Sequence, residues 1–143
     1  MCRFGIMVAM AFQIEALDHV QVAMPPNGEV AAETFYRDLL GLRLLPKPAS
    51  LAARGGRWFA AGGAELHLGV EQDFRPARKA HPALRVRGLD ELIARLQASG
   101  AVVRHDRQLP GVRRIYTEDP FGNRIELIDA GRSPAAQPGA CGD

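Results

Sequence analysis

The sequence predicts an α+β domain in which one βαβββ module is used twice. Alternating apolar and polar residues, the mark of a half-buried strand, open each half of the chain at Leu17–Val22 and at His81–Val86. Each of these strands leads into one amphipathic helix that stops at a glycine, Gly41 in the first half and Gly100 in the second. Those glycines stand 59 positions apart, and so do His67 and Glu126, each four residues after a turn glycine.

Module 1 spans residues 14–71. After its first strand comes a turn at Met24–Gly28, then a helix over Glu29–Leu40 with Val30, Phe35, Leu39 and Leu40 on one broad face. Strands follow at Leu42–Leu45, Arg57–Ala60 and Glu65–Val70, with Gly62-Gly63 turning between the last two. Residues 72–80 are polar and basic and read as a linker. Module 2 spans residues 81–130. Its helix is expected over Asp90–Ser99, with Asp90 as N-cap and Leu92, Ile93 and Leu96 facing inward. Strands are expected at Ala101–His105, Val112–Thr117 and Arg124–Ile128, the last after a turn at Asp119–Asn123. Residues 1–13 form an N-terminal extension. Residues 131–143, rich in Gly, Pro, Ala and Ser, read as a flexible tail.

Composition narrows the function classes. A chain of 143 residues can bury a core without disulfide staples. Net charge is +2, and the 18 basic residues, 16 of them Arg, are scattered along the chain. A nucleic-acid footprint needs a basic stripe on one element, so no nucleic-acid partner is expected. The apolar run Phe4–Phe12 is too short to span a bilayer and lacks a clear cleavage site, so no membrane partner and no signal peptide are expected. An extra strand, a disordered lead, or a start at Met7 or Met10 are the alternatives for it. Cys2 and Cys141 stand at opposite ends, which reads as two incidental thiols in a cytoplasmic protein.

The candidate chemistry lies at matched places in the two modules. His19 and His81 each stand in the first strand of a module, His67 and Glu126 each in the last. On those last strands Leu66/Leu68 and Ile125/Leu127 point to the opposite face, so His67 and Glu126 project away from the helices. If the modules pair about a pseudo-two-fold axis, the four side chains converge. Three imidazoles and one carboxylate suit a divalent first-row ion: Ni, Co, Zn, Mn or Fe. Taken singly, each has an ordinary reading: His19 and His81 as exposed polar residues, His67 as a hydrogen-bonded core residue, Glu126 as a partner for an arginine. His105 matches no repeat position and reads as surface. Arg57 and Trp58 in module 1, and Arg114 and Tyr116 in module 2, are candidate substrate-binding residues. Arg suits a carboxylate or phosphate, and Trp58 an apolar body; a surface arginine and a core tryptophan are the alternatives.

The segments Phe35–Leu42 (FYRDLLGL) and Asp119–Leu127 (DPFGNRIEL), with His19 on its short strand, resemble the vicinal-oxygen-chelate superfamily of glyoxalase I, bleomycin-resistance proteins and extradiol dioxygenases. The resemblance covers residues 14–129. It implies modules that form a cupped mixed sheet around a metal site, with helices on the outer face. It also implies a homodimer whose sites combine His19 and His67 of one chain with His81 and Glu126 of the other. The implied function is that of a glyoxalase-like metal-dependent enzyme acting on a small oxygen-rich substrate. Its isomerase, lyase or epimerase chemistry would pass through a metal-stabilised enolate, with Glu126 as ligand and catalytic proton carrier. His67 departs from glyoxalase I, which has Glu there, and this weighs against a lactoylglutathione lyase. Two alternatives stand: an Fe(II)-dependent extradiol-type dioxygenase using His67 or His19 with His81 and Glu126, and a non-catalytic small-molecule-binding or antibiotic-resistance protein.

Overall fold

The computed structural model describes residues 11–131. Both cysteines, most of the apolar run from Phe4, and the tail after Gly131 lie outside the described residues.

The repeat is present strand for strand. Module 1 contains β1 (His19–Met24), α1 (Glu29–Ala32, running on in π-helical form over Glu33–Leu39), β2 (Arg43–Leu45), a short α2 (Ala49–Ala52), β3 (Arg57–Ala61) and β4 (Ala64–Val70). Module 2 contains β5 (Ala83–Val86), α3 (Leu89–Ala98), β6 (Arg104–Asp106), β7 (Arg114–Glu118) and β8 (Arg124–Asp129). The strands form two four-stranded sheets of identical order, β1-β4-β3-β2 and β5-β8-β7-β6. In each, the first strand runs parallel to the last and the other neighbours are antiparallel. The return from the first strand to its parallel neighbour passes through the helix and two strands, as a parallel pair requires a long connection.

The sheets bury one face each. Val22, Met24, Phe59, Leu66 and Leu68 from module 1 and Ile115, Ile125 and Leu127 from module 2 pack with Phe35, Tyr36, Leu89, Ile93 and Leu96 of the helices into one core. Alternation along β3, β4, β7 and β8 therefore sends Trp58, His67, Tyr116 and Glu126 to the other face.

Several local expectations are corrected. The first helix does not bury Val30, which is 76% exposed; Phe35 goes inward as expected, joined by the adjacent Tyr36. Its π-helical stretch, closed by Leu40 N–H donating to the Phe35 carbonyl at 2.9 Å, widens the turn so that consecutive bulky residues share the buried face. Asp90 is not the N-cap of α3. Gly88, at φ 83°, precedes the helix, and Asp90 in the first turn gives its carboxylate to Arg113. β5 begins at Ala83 rather than His81, since Pro82 has no N–H to give the ladder; its carbonyl still accepts from Glu126 N–H at 3.0 Å. β6 and β7 each begin two or three residues later than expected, at Arg104 and Arg114. The helix stops at Gly41 and Gly100 hold, with both residues at positive φ.

The modules are fastened by polar contacts around the Asp119–Asn123 turn. Asp119 accepts from Phe121 N–H and Asn123 N–H through one oxygen, and from Tyr36 Oη and Asn123 Nδ2 through the other, all at 2.7–2.9 Å. Asn123 also donates to the Ala23 carbonyl of β1 and accepts from Ala77 N–H in the 72–80 segment. One turn thus ties both modules and their connector together. Gly28 completes the closure: a Cβ there would stand 2.8 Å from the Phe121 ring.

Candidate functional site

The polar faces of the two sheets carry two separate clusters. On the first, the β1–β4 register sets His19 opposite Glu65 and Gln21 opposite His67, while the β3–β4 register sets Trp58 opposite His67. The rings stack: Trp58 on His67 with centroids 4.3 Å apart and 8° between planes, and His67 on His19 at 4.2 Å and 13°. His67 is buried, whereas His19 is exposed. His67 Nε2 lies 2.7 Å from Glu65 Oε2, and His19 Nδ1 lies 2.8 Å from Asp18 Oδ1.

On the second sheet Tyr116 stands opposite Glu126, the same relation that Trp58 has to His67. Glu126 is buried, 6% exposed, and both its oxygens are engaged. Oε2 lies 2.9 Å from His81 Nε2, and Oε1 accepts from Arg114 at 3.0 Å. The other end of the Arg114 guanidinium donates to Asp106 Oδ2 at 3.0 Å, and its Nε has no partner among the described residues. His81 sits edge-on to Tyr116 at 5.5 Å, and Arg114 and Arg124 lie over the Tyr116 ring at 5.6 and 5.2 Å.

The structure thus brings His19 to His67 and His81 to Glu126, but does not join the pairs. Among the described residues, no group of three or more His, Cys, Asp and Glu side chains in the chain could hold a metal ion. Trp58 and Tyr116 lie on the polar faces. Arg57 does not: it shares the helix-side face with Phe59, and its Nε donates to Glu33 Oε1 on the first helix at 2.6 Å. Arg114 is on the polar face, held between two carboxylates. Glu65, Asp106 and Arg124, which touch the candidate residues on the polar faces, are ones that sequence reasoning missed. Glu65 and Arg124 had a signal available, since each stands two residues before a candidate ligand and so shares its face of the strand. Asp106 had none.

The donor set of the second cluster fits a cation. The His81 Nδ1 lies 2.7 Å from the Lys79 carbonyl, which can only accept, so Nδ1 carries the proton. The Nε2 lone pair then faces a carboxylate oxygen at 2.9 Å, and two acceptors that close need a positive charge between them, either a second proton on the ring or a metal ion. His19, with Nδ1 directed at Asp18, presents Nε2 in the same manner. His67 is different, because its Nε2 is already committed to Glu65.

Comparison with known proteins agrees with the fold. The description "Glyoxalase-like domain" matches the chain over residues 21–128. A protein from Bacillus anthracis assigned to the glyoxalase family shares 47% identity and a TM-score of 0.81, covering 84% of this chain and 98% of its own. A lactoylglutathione lyase from Agrobacterium tumefaciens is 24% identical, with a TM-score of 0.59 over 82% of this chain and 95% of that one. A fosfomycin resistance protein from Listeria monocytogenes is 16% identical, with a TM-score of 0.66 over 83% and 96%. At these last two identities the likeness is one of fold alone. Among curated proteins, none matches the chain. The chain belongs to the glyoxalase-like domain family, within the vicinal-oxygen-chelate superfamily. No helix among the described residues is long and apolar enough to cross a membrane.

Proposed function

We propose that the protein is a metal-dependent enzyme of isomerase, lyase or epimerase type, acting as a homodimer on a small oxygen-rich substrate. His81 and Glu126 of one chain and His19 of the other would hold a divalent ion, with His67 as a fourth ligand when its contact to Glu65 opens. The observation that carries this reading is the 2.9 Å approach of His81 Nε2 to Glu126 Oε2, on side chains that are both largely buried. The bound ion would act as a Lewis acid, polarising vicinal substrate oxygens.

The chain's own residues supply the rest. Glu126 is the proton carrier, and Arg114 aims it by holding Oε1 while Oε2 stays on the open side with His81. Trp58 and Tyr116 offer aromatic walls in matching places on the two sheets. A second reading, small-molecule binding without turnover, is favoured by the closed Asp106–Arg114–Glu126–His81 chain, in which both carboxylates already have side-chain partners.

The deciding measurement is metal content by plasma mass spectrometry on untagged protein, with light scattering for oligomeric state. About one Ni, Co, Zn, Mn or Fe per chain, lost when His81 and Glu126 are both changed to Ala, is the expected result. Iron with oxygen consumption would turn the assignment to dioxygenase chemistry. No metal, even after divalent ions are added back, would leave only the binding-protein reading.

A further inference from the structure

The polar faces of the two sheets carry five arginines by register: Arg43, Arg85, Arg104, Arg114 and Arg124. Arg114 is neutralised by Asp106 and Glu126, and Arg104 by Glu118. Arg43 and Arg85 are exposed. Arg124 alone is half-buried and makes no ion pair or side-chain hydrogen bond with the described residues. Its cross-strand partner Glu118 gives its carboxylate to Arg104 instead. Arg124 stands two residues before Glu126 on the same strand face, and its guanidinium rests over the Tyr116 ring at 5.2 Å.

We infer that Arg124, backed by Tyr116, is an oxyanion-binding site beside Glu126, and that the ligand of the cup carries a carboxylate or a phosphate. A guanidinium is the side chain best shaped for a two-oxygen anion. Packing on an aromatic face orients it without consuming its N–H donors. Placed beside Glu126, it would hold the anionic end of a ligand whose neighbouring oxygens meet His81 and Glu126. The inference deepens the proposed function by naming the substrate class and rests on that reading for the cup, but anion binding by Arg124 requires no metal.

The test uses the full chain, stripped of metal by chelation and dialysis, with glycolate, inorganic phosphate and uncharged methyl glycolate as probes. The chain has two tyrosines, so selective labelling makes the Tyr116 ring a readable NMR signal. Saturable shifts of that ring with glycolate or phosphate, weakened about tenfold or more in Arg124→Gln and unchanged in Arg85→Gln, are expected. Methyl glycolate should show no dependence on Arg124. Whichever anion binds more tightly distinguishes a carboxylate from a phosphate ligand. Equal anion binding in wild type and Arg124→Gln, or none in wild type, overturns the inference. Metal content before stripping tests the metal reading separately, so the two can fail independently.

Discussion

The hydroxyl of Tyr36, on the first helix of module 1, donates to the Asp119 carboxylate in the last turn of module 2 across 2.7 Å of fully buried space. That bond joins residues 83 positions apart and links the two modules directly. Burial first, and the charge of Asp119 second, push the Tyr36 phenol well above its ordinary value of 10.0. The folded protein keeps a proton that the unfolded chain releases. Stability from this group is therefore intact below about pH 10 and falls as pH rises beyond it. Tyr36→Phe should cost about 2 kcal/mol at neutral pH and flatten this alkaline loss. Urea unfolding at about pH 8 and about pH 10.5 reads both effects; parallel losses in the two proteins would exclude Tyr36 as the source.

Arg114 is a structural cation before it is anything else. Replacing it with Gln leaves Asp106 and Glu126, both largely buried, without their shared partner. Removing the shared cation leaves two neighbouring carboxylates without a counter-charge, which lowers the stability of the fold. Chemical denaturation should show that loss even without any ligand. A variant as stable as wild type would return Arg114 to the list of residues free to meet substrate.

Glu65 and a metal ion would compete for the same atom, His67 Nε2. Glu65→Ala should tighten metal binding several-fold, as measured by competition with a chromophoric chelator. The fluorescence of Trp58, the chain's one tryptophan, should change with it, since the indole lies flat on His67. Unaltered affinity would leave His67 as packing for His19 and reduce the ligand set to three.

Glu126→Gln preserves shape and removes the charge. The expected outcome is an unchanged circular dichroism spectrum with lower metal content and lower turnover, since disturbing even the groups that orient a metal ligand costs about tenfold or more in affinity. A variant that retains its full metal content removes Glu126 from the ligands.

The architecture was legible because it is written twice. Two strands with the same alternation, two helix-ending glycines and two last strands with matched polar positions needed no tertiary information. Placement of individual side chains depended on what lay across from them. Arg57 looked like a cup residue beside Trp58, yet strand alternation puts it on the helix side, where Glu33 awaits it. Val30 looked apolar enough to be buried, but Tyr36 takes the inner face because Asp119 satisfies its hydroxyl. Asp106 is nearly invisible in sequence, since its partner Arg114 comes from the next strand over a loop. Asp90 was a reasonable cap by type, and Arg113 claims it instead.

The Asp119–Asn123 turn belongs to one of the two segments by which the family resemblance is read, and all its polar side-chain bonds are spent on fastening the scaffold. Selection for folding is enough by itself to preserve such a sequence. Descendants of one ancestor could exchange substrates, metals or the reaction itself while this stretch stayed unchanged. Divergence of activity in this lineage should therefore be written on the polar faces of the sheets, at positions such as 65, 67 and 124, outside the turn that fastens the modules.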